Sequence, residues 1–151
     1  MTALRDEFRL PGTRVLQFAF DGNADNPYLP HNYVPNTVVY TGTHDNPTTR
    51  GWYEELSDEQ RQNVWGYLGR AGGAAPEVAP ALMHLAWVSV AALAIVPLQD
   101  LLSLSNEARM NVPGRSEGNW RWRCTEEMLA TCAFERLRDL TKISGRRQGE
   151  S

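Results

Sequence analysis

The residues most able to do chemistry lie in the segment Gly42–Asn46, which reads GTHDN and directly follows the apolar run Val38–Thr41. In parallel β/α folds, functional side chains lie at the carboxyl ends of strands, where the connecting loops converge. Asp45 is therefore a candidate catalytic carboxylate, and its neighbour His44 is a candidate donor to a substrate hydroxyl. The same pattern suits helix capping, in which Asp45 or Asn46 accepts from the first free amides and Pro47 is the first helical residue. Spacing alone favours capping, and the two roles are compatible.

The positions of the three histidines do not indicate a metal site. His44 is adjacent to Asp45, whereas His31 and His84 lie elsewhere, and neither HxxxH nor HExxH spacing occurs. The chain also has no nucleophile elbow and no phosphate-binding loop. We therefore predict no bound metal and no cofactor.

Aromatic residues form a second signal. Phe18 lies near the end of the apolar run VLQFAF, and Trp120 and Trp122 alternate with arginines in GNWRWR. Aromatic faces beside carboxylates and amides suit sugar binding, because the apolar face of a pyranose stacks on a ring while its hydroxyls need fixed donors and acceptors. The alternation at Trp120 equally suits a strand-like surface or cation–π packing, so this signal is weak by itself.

Polar residues also follow a later apolar run, at Gln99 and Asp100. Glycoside chemistry normally requires two carboxylates flanking the bond, one acting as nucleophile or base and the other as acid. Asp45 and Asp100 are the carboxylates at predicted strand ends, and neither has an obvious acid partner. Arg109 is expected to pair with a nearby acid as a structural link. Residue types and spacing therefore do not establish catalysis.

The elements that must position these residues alternate between apolar β-rich runs and helical segments. This order indicates an α/β arrangement with parallel strands, and three strands are too few for a complete barrel. We assign residues 1–143 to part of a larger β/α domain and residues 144–151 to a polar tail. The predicted strands are Val15–Phe20, Val38–Thr41 and Leu93–Leu98, and the predicted helices are Leu4–Phe8, Thr48–Leu56, Ser57–Arg70, Ala81–Ala92 and Thr125–Ile143.

Composition excludes several classes of protein. The chain has 151 residues, of which 42% are hydrophobic, and its net charge of −3 shows no basic patch, so neither disorder nor nucleic-acid binding is expected. The longest apolar stretch, Pro80–Leu98, is interrupted by polar residues and is not expected to span a membrane.

Cys124 and Cys132 are predicted on one helix with Cα atoms about 12 Å apart, too far for a disulfide. Reduced thiols fit a cytoplasmic protein.

Several motifs, taken together, resemble 4-alpha-glucanotransferases of glycoside hydrolase family 77. Their combination is highly specific, although no single motif is, and they cover nearly the whole chain in the family's order. The motifs are VLQFAF after Pro11-Gly12, LPHNY from Leu29, VVYTGTHDN with Gly51-Trp52, SVAALAIVPLQDLL from Ser89, and ARMNVPG with GNWRWR.

The resemblance implies a (β/α)8 barrel, of which this chain would supply the last three strands, and disproportionation of alpha-1,4-glucans by a retaining, two-step route. In the family a third carboxylate, matching Asp45, steadies the oxocarbenium-like transition state, and a histidine matching His44 hydrogen-bonds the same sugar ring. Phe18 matches an aromatic residue on the acceptor side, and Asn111 matches a residue of the glucan-binding cleft. The other residues that we predict to bind substrate are Asn46 and Trp120.

The resemblance also implies that two catalytic groups are absent from this chain. The family's nucleophile would lie upstream of Met1, and its acid/base glutamate would fall just before Thr2. We therefore expect a chain that is inactive alone, with maltooligosaccharides and starch- or glycogen-derived glucans as ligands and an N-terminal barrel portion as partner if that portion is encoded separately. The alternative is a non-catalytic glucan-binding fragment. Pro47 departs from the aspartate of many family members, which affects the loop after Asp45.

Overall fold

Three short parallel strands form the sheet in the computed structural model, which describes residue 5 and residues 7–146. The strands are β1 (Gly12–Val15), β2 (Thr37–Tyr40) and β3 (Leu93–Ile95), and β2 lies in the middle. Gly12 is aligned with Thr37 in the first pair, and Val38 with Leu93 in the second. The predicted α/β class with three parallel strands is therefore confirmed.

The first strand lies earlier than the predicted Val15–Phe20. Strand pairing ends at Val15, and Leu16–Phe18 forms a 3-10 turn that closes with the Ala19 amide donating to the Leu16 carbonyl at 3.0 Å. Leu16 and Ala19 are buried, as they would be in a strand. A continuous apolar run fits both a buried strand and a buried turn, so periodicity could not separate the two.

Helices connect and cover the strands. The predicted helix after Ser57 is confirmed with its capping box, in which the Ser57 hydroxyl and the Gln60 side chain each accept from the other residue's amide. The predicted segment Leu4–Phe8 lies partly outside the described residues. The helices are α1 (Thr49–Glu54), α2 (Asp58–Tyr67), α3 (Ala75–Val88), α4 (Leu98–Leu101), α5 (Glu126–Leu129) and α6 (Ala133–Ile143), with further 3-10 turns at Pro30–Asn32 and Asn106–Ala108.

Helix α3 begins at Ala75, earlier than the predicted Ala81, and contains Pro80 in its interior. An interior proline removes one backbone donor and usually ends or kinks a helix. Here the carbonyl that Pro80 leaves without its usual donor is that of Pro76, and it accepts from the Ser103 hydroxyl at 2.6 Å. The substitute donor lies 27 positions away, so the sequence around Pro80 gave no sign of it.

The third strand ends at Ile95 because Pro97 starts the short helix α4 instead of extending the ladder. The predicted final helix is divided into α5 and α6, and Cys124 lies before α5. The two cysteines therefore do not share one helix, contrary to our prediction, although both thiols are free as expected.

The core lies between the sheet and helices α1 to α4, with Leu16, Val39, Trp65 and Leu82 all but fully buried. Helix α6 packs against the end of α3. At that contact the Trp87 indole donates to the Thr141 hydroxyl at 3.0 Å, and Arg146 donates to the Trp87 carbonyl at 2.6 Å. The start of the predicted tail is thus held against α3, and residues 147–151 lie outside the described part of the chain.

Within the described residues, every helix is too short or too polar to cross a membrane. No group of three or more histidine, cysteine or acidic side chains there is arranged to hold a metal ion.

Candidate active site

The loop after β2 carries the predicted site and is shaped by Asn46. The Asn46 side-chain oxygen accepts from the Thr43 amide at 3.0 Å and from the Thr43 hydroxyl at 2.7 Å, while the Asn46 amide donates back to the Thr43 carbonyl at 3.1 Å. These three bonds make a tight turn directly after the strand. His44 and Asp45 lie inside that turn, so their side chains are presented at the carboxyl end of the sheet.

The Asp45 carboxylate meets the side chain of Asn111, which lies 66 positions further along the chain. Asn111 Nδ2 donates to Asp45 Oδ1 at 2.5 Å, and His44 Nε2 lies 3.3 Å from the same oxygen. Half of the Asp45 side chain and 57% of the His44 side chain remain exposed. The structure shows no partner for Asp45 Oδ2 among the described residues. The carboxylate is therefore held through one oxygen and leaves the other available to a ligand.

Trp120 completes the cluster by placing its ring against His44. The two ring centroids are 5.1 Å apart at an angle of 39°, and the Trp120 side chain is half exposed. Its backbone has a φ of +61°, a left-handed conformation that a bulky residue rarely adopts. The Trp120 amide donates to the Met110 carbonyl at 2.7 Å, which helps to maintain this conformation. Strained backbone of this kind is concentrated at functional sites.

Among the described residues, Arg109 pairs with no acidic side chain, contrary to our expectation. Its Nη2 donates to the Asp45 carbonyl at 2.8 Å, and its Nε donates to the Asn111 carbonyl at 2.9 Å. The Asn111 amide in turn donates to the His44 carbonyl at 3.1 Å. The segment at 109–111 is thus joined to the loop after β2 by main-chain as well as side-chain contacts.

Helix α1 is capped by Thr48, not by Asp45 or Asn46. The Thr48 hydroxyl accepts from the Gly51 amide at 3.1 Å. Asp45 therefore does not cap this helix, contrary to the interpretation that spacing alone favoured. A threonine three residues before a free amide is a recognisable cap, but the adjacent aspartate and asparagine obscured it.

Asp100 is the second predicted strand-end carboxylate, and it is buried inside the fold with 3% of its surface exposed. It accepts from the Thr41 hydroxyl at 2.5 Å, and from the Thr49 amide and hydroxyl, both at 2.7 Å. Burial raises the pKa of Asp100, and these hydrogen bonds oppose that shift in part. Asp100 therefore joins the end of β2 to the start of α1, and its carboxylate is occupied by these protein donors.

Gln17 is a supporting residue that the sequence reasoning missed. Its Nε2 donates to the Pro47 carbonyl at 3.0 Å and to Thr49 Oγ1 at 3.3 Å. A side chain at Gly42 would come within 2.5 Å of Gln17 Nε2, so the glycine allows this contact. The available signal was a lone polar residue inside the apolar run VLQFAF.

Phe18 lies after β1 with half of its surface exposed, and its ring packs edge-on against Tyr28 at a centroid distance of 5.5 Å. Among the described residues, no contact joins the Phe18 ring to His44 or Asp45. The structure therefore brings together four of the predicted side chains, namely His44, Asp45, Asn111 and Trp120. It places Asn46 in the supporting turn and Phe18 apart, after the neighbouring strand.

Comparison with known proteins shows the family to which the chain is similar. The family model for the 4-alpha-glucanotransferases of glycoside hydrolase family 77 matches residues 1–129. The 4-alpha-glucanotransferase of Synechocystis is 50% identical over 146 residues, which are 96% of this chain and 28% of that protein. The enzyme of Thermus thermophilus is also 50% identical, over 95% of this chain and 30% of its own length. The chain thus spans less than a third of these relatives.

Solved structures give the same result. The amylomaltase of Streptococcus agalactiae in complex with acarbose superposes with a TM-score of 0.91 at 32% identity, covering 97% of this chain and 30% of that one. The amylomaltase of Corynebacterium glutamicum shares the fold with a TM-score of 0.70 at 16% identity, over 93% of this chain and 26% of that one. On this evidence the chain belongs to glycoside hydrolase family 77, the 4-alpha-glucanotransferases, and corresponds to a segment of such an enzyme.

Proposed function

We propose that this chain is the C-terminal part of a 4-alpha-glucanotransferase barrel and contributes the transition-state carboxylate, Asp45, to a shared active site. In this proposal the last three barrel strands are β1, β2 and β3. The remaining strands, together with the nucleophile and the acid/base glutamate, belong to the portion of the enzyme that this chain does not span. The chain alone is then inactive.

The observation that carries the proposal is the contact between Asp45 and Asn111. Both residues lie in motifs of the family, and the fold brings them within 2.5 Å although 66 positions separate them. The pair lies at the carboxyl end of parallel strands, where barrel enzymes carry their active sites. A purely structural aspartate would have its oxygens occupied by several protein donors, as those of Asp100 are. Asp45 remains half exposed instead.

The geometry supports two parts of the reaction, namely stabilisation of the transition state and binding of the sugar ring. A retaining glycosidase-type reaction passes through an oxocarbenium-like transition state, whose positive charge a nearby carboxylate stabilises. Asp45 Oδ2 is available to accept from sugar hydroxyls, and the exposed His44 imidazole can bond the same ring. The half-exposed Trp120 ring supplies an apolar face beside them. The substrate class is alpha-1,4-linked maltooligosaccharides, which fits the acarbose bound to the similar amylomaltase.

A chimera tests the proposal directly. In it, this chain replaces the matching segment of the Thermus thermophilus relative, which is 50% identical to it. With maltotriose as substrate, we expect the chimera to release glucose and to form longer maltooligosaccharides, and the purified chain alone to form neither. A folded but inactive chimera would contradict the shared-site proposal. Turnover by the chain alone would contradict its predicted inactivity.

A non-catalytic glucan-binding fragment is the second candidate, favoured by the Trp120 ring that lies half exposed beside Asp45 and Asn111. Titration of the chain with maltooligosaccharide, followed by tryptophan fluorescence, separates the two functions. Binding by the isolated chain together with an inactive chimera would favour this second candidate. Loss of the fluorescence change in Trp120→Phe would assign the signal to this site.

A further inference from the structure

We propose that Arg109 is a positioning residue for the Asp45 carboxylate, acting through the main chain of two segments that are distant in sequence. The inference rests on the proposed role of Asp45 and adds a residue that holds the Asp45 carboxylate in position for that role. Among the described residues, the side chain of Arg109 donates to main-chain carbonyls only. It fixes the backbone from which the carboxylate and its amide partner project.

Two nitrogens of one guanidinium bind two different carbonyls. Nη2 donates to the Asp45 carbonyl at 2.8 Å and Nε donates to the Asn111 carbonyl at 2.9 Å. The guanidinium is planar, so the directions of these two donors are fixed relative to each other. The separation of the two carbonyls is thereby fixed as well. A lysine ammonium has no such fork and would not hold both carbonyls in one defined geometry.

The guanidinium acts together with two further contacts between the same segments. The Asn111 amide donates to the His44 carbonyl at 3.1 Å, and the Asn111 side chain donates to Asp45 Oδ1 at 2.5 Å. Three hydrogen bonds therefore cross between the loop after β2 and the segment at 109–111, and the bond from Arg109 Nε to the Asn111 carbonyl lies within that segment. Both Arg109 contacts are to the main chain, so the residue holds the backbone of Asp45 without binding its carboxylate.

The other end of the Arg109 segment is anchored to α1. Asn106 Nδ2 donates to Glu55 at 2.8 Å, and the Ser105 hydroxyl donates to Glu54. The 3-10 turn at Asn106–Ala108 leads from this anchor directly to Arg109. Arg109 therefore connects a fixed part of the fold to the exposed loop that carries Asp45.

Amide hydrogen exchange of the chain, read residue by residue by NMR, tests the positioning role without any need for activity. In Arg109→Met, which removes the donors and keeps a long apolar stem, we expect the Asn111 amide to exchange at least about tenfold faster. The Thr49 amide, which donates to buried Asp100, should keep its rate. Arg121→Met is the matched control, since Arg121 is exposed and its side chain makes no hydrogen bond to any residue that the structure describes.

Kinetics of the chimera provide the second measurement. A displaced carboxylate weakens transition-state stabilisation, so Arg109→Met should lower kcat by about 10- to 100-fold, with KM and the unfolding temperature nearly unchanged. Arg109→Lys should recover only part of kcat, and Arg121→Met should match the unmodified chimera.

Unchanged exchange at Asn111 in Arg109→Met, or an Asn111 amide that is already unprotected in the unmodified chain, would overturn the proposal. So would faster exchange with unchanged kcat in an active chimera. If the unmodified chimera is inactive, the proposed function fails, and the catalytic part of this inference fails with it. The exchange result would then still decide whether Arg109 holds the two segments together.

Discussion

At the scale of single residues, two aspartates at strand ends have opposite environments. Asp45 has an imidazole and one amide near its carboxylate and stays half exposed. Asp100 accepts three hydrogen bonds and is buried. A carboxylate that must act on a ligand needs an accessible oxygen, and one that only joins elements does not. This difference, and not residue type, separates the candidate functional aspartate from the structural one.

Asp45→Asn in the chimera tests the charge of this carboxylate. Asparagine keeps the size of the side chain and removes its negative charge, so transition-state stabilisation should be lost while folding is retained. We expect transfer activity from maltotriose to fall by about 10²- to 10³-fold, mainly in kcat. Asp25→Asn, at an exposed position in the loop after β1, is the matched control. Equal activity of the two variants would contradict the assigned role.

Asp100 should make the stability of the chain depend on pH. Because burial raises its pKa above the usual 3.8 in the folded state, the folded chain holds the Asp100 proton more tightly than the unfolded chain. The stabilisation from this group is therefore present at low pH and is lost as the pH rises from about 3.8 through the raised pKa. Relative to Asp100→Asn, the unmodified chain should lose free energy of unfolding over that interval.

Urea denaturation of the two proteins at several pH values measures this difference. A difference that does not change with pH would contradict the prediction. Asp100→Ala supplies a second comparison, because it leaves the buried Thr49 amide without its acceptor. We expect that variant to be less stable than Asp100→Asn by about 1–3 kcal/mol.

At the scale of elements, α1 links the sheet to the segment that carries Arg109. Gly51 lies in α1, and a side chain there would overlap the side-chain amide of Asn106. The absence of a side chain at this position lets the 3-10 turn at Asn106–Ala108 pack directly against the helix. Asn106 can then reach Glu55 at the end of the same helix.

Gly51→Ala should therefore destabilise the chain, although alanine is the better helix former. The added methyl group must displace Asn106 and its hydrogen bond to Glu55, an overpacking cost of about 1–3 kcal/mol. Gly66→Ala in α2 is the matched control, because open space surrounds that position. It should stabilise the chain by about 0.5–1 kcal/mol. Urea denaturation of both variants checks the prediction, and effects of the same sign would contradict it.

At the scale of the whole molecule, the sheet is open at both sides. Within the described residues, β1 and β3 each pair only with β2, so their outer edges have no strand partner. Exposed apolar side chains lie close to the starts of all three strands, at Leu10, Val34, Val90 and Leu93. Unpaired strand edges with apolar side chains pair readily with another chain. The proposed barrel would supply such partners from the portion that this chain does not span.

The isolated chain should therefore self-associate. Sedimentation velocity over a range of concentrations should show species larger than a monomer. Leu93→Lys should reduce their fraction, because a charge on an edge strand opposes strand pairing. Ile143→Lys places the same charge at the exposed end of α6 and should have less effect. A purely monomeric chain at every concentration, or equal effects of the two variants, would contradict the edge explanation.

Some of the fold could be predicted from local sequence because its causes are local. The position of β2, and of the loop that carries His44 and Asp45, is predicted by a β-rich run that polar residues follow at once. Ser57 with Gln60 located the start of α2, since both hydrogen bonds of a capping box lie within four consecutive residues. The predicted start of α3 is wrong, because the hydroxyl donor that compensates for Pro80 comes from Ser103, on another segment of the chain.

For the candidate site, the sequence by itself determined which residue types follow the strands, and the family motifs determined the class of enzyme to which the segment belongs. The tertiary structure alone decided that Thr48 and not Asp45 caps α1, and that Asp100 is buried. It also decided that Asn111 and Trp120 meet the loop after β2. Those contacts join residues far apart in the chain, so they depend on how the loops fold back over the sheet, which no local pattern encodes.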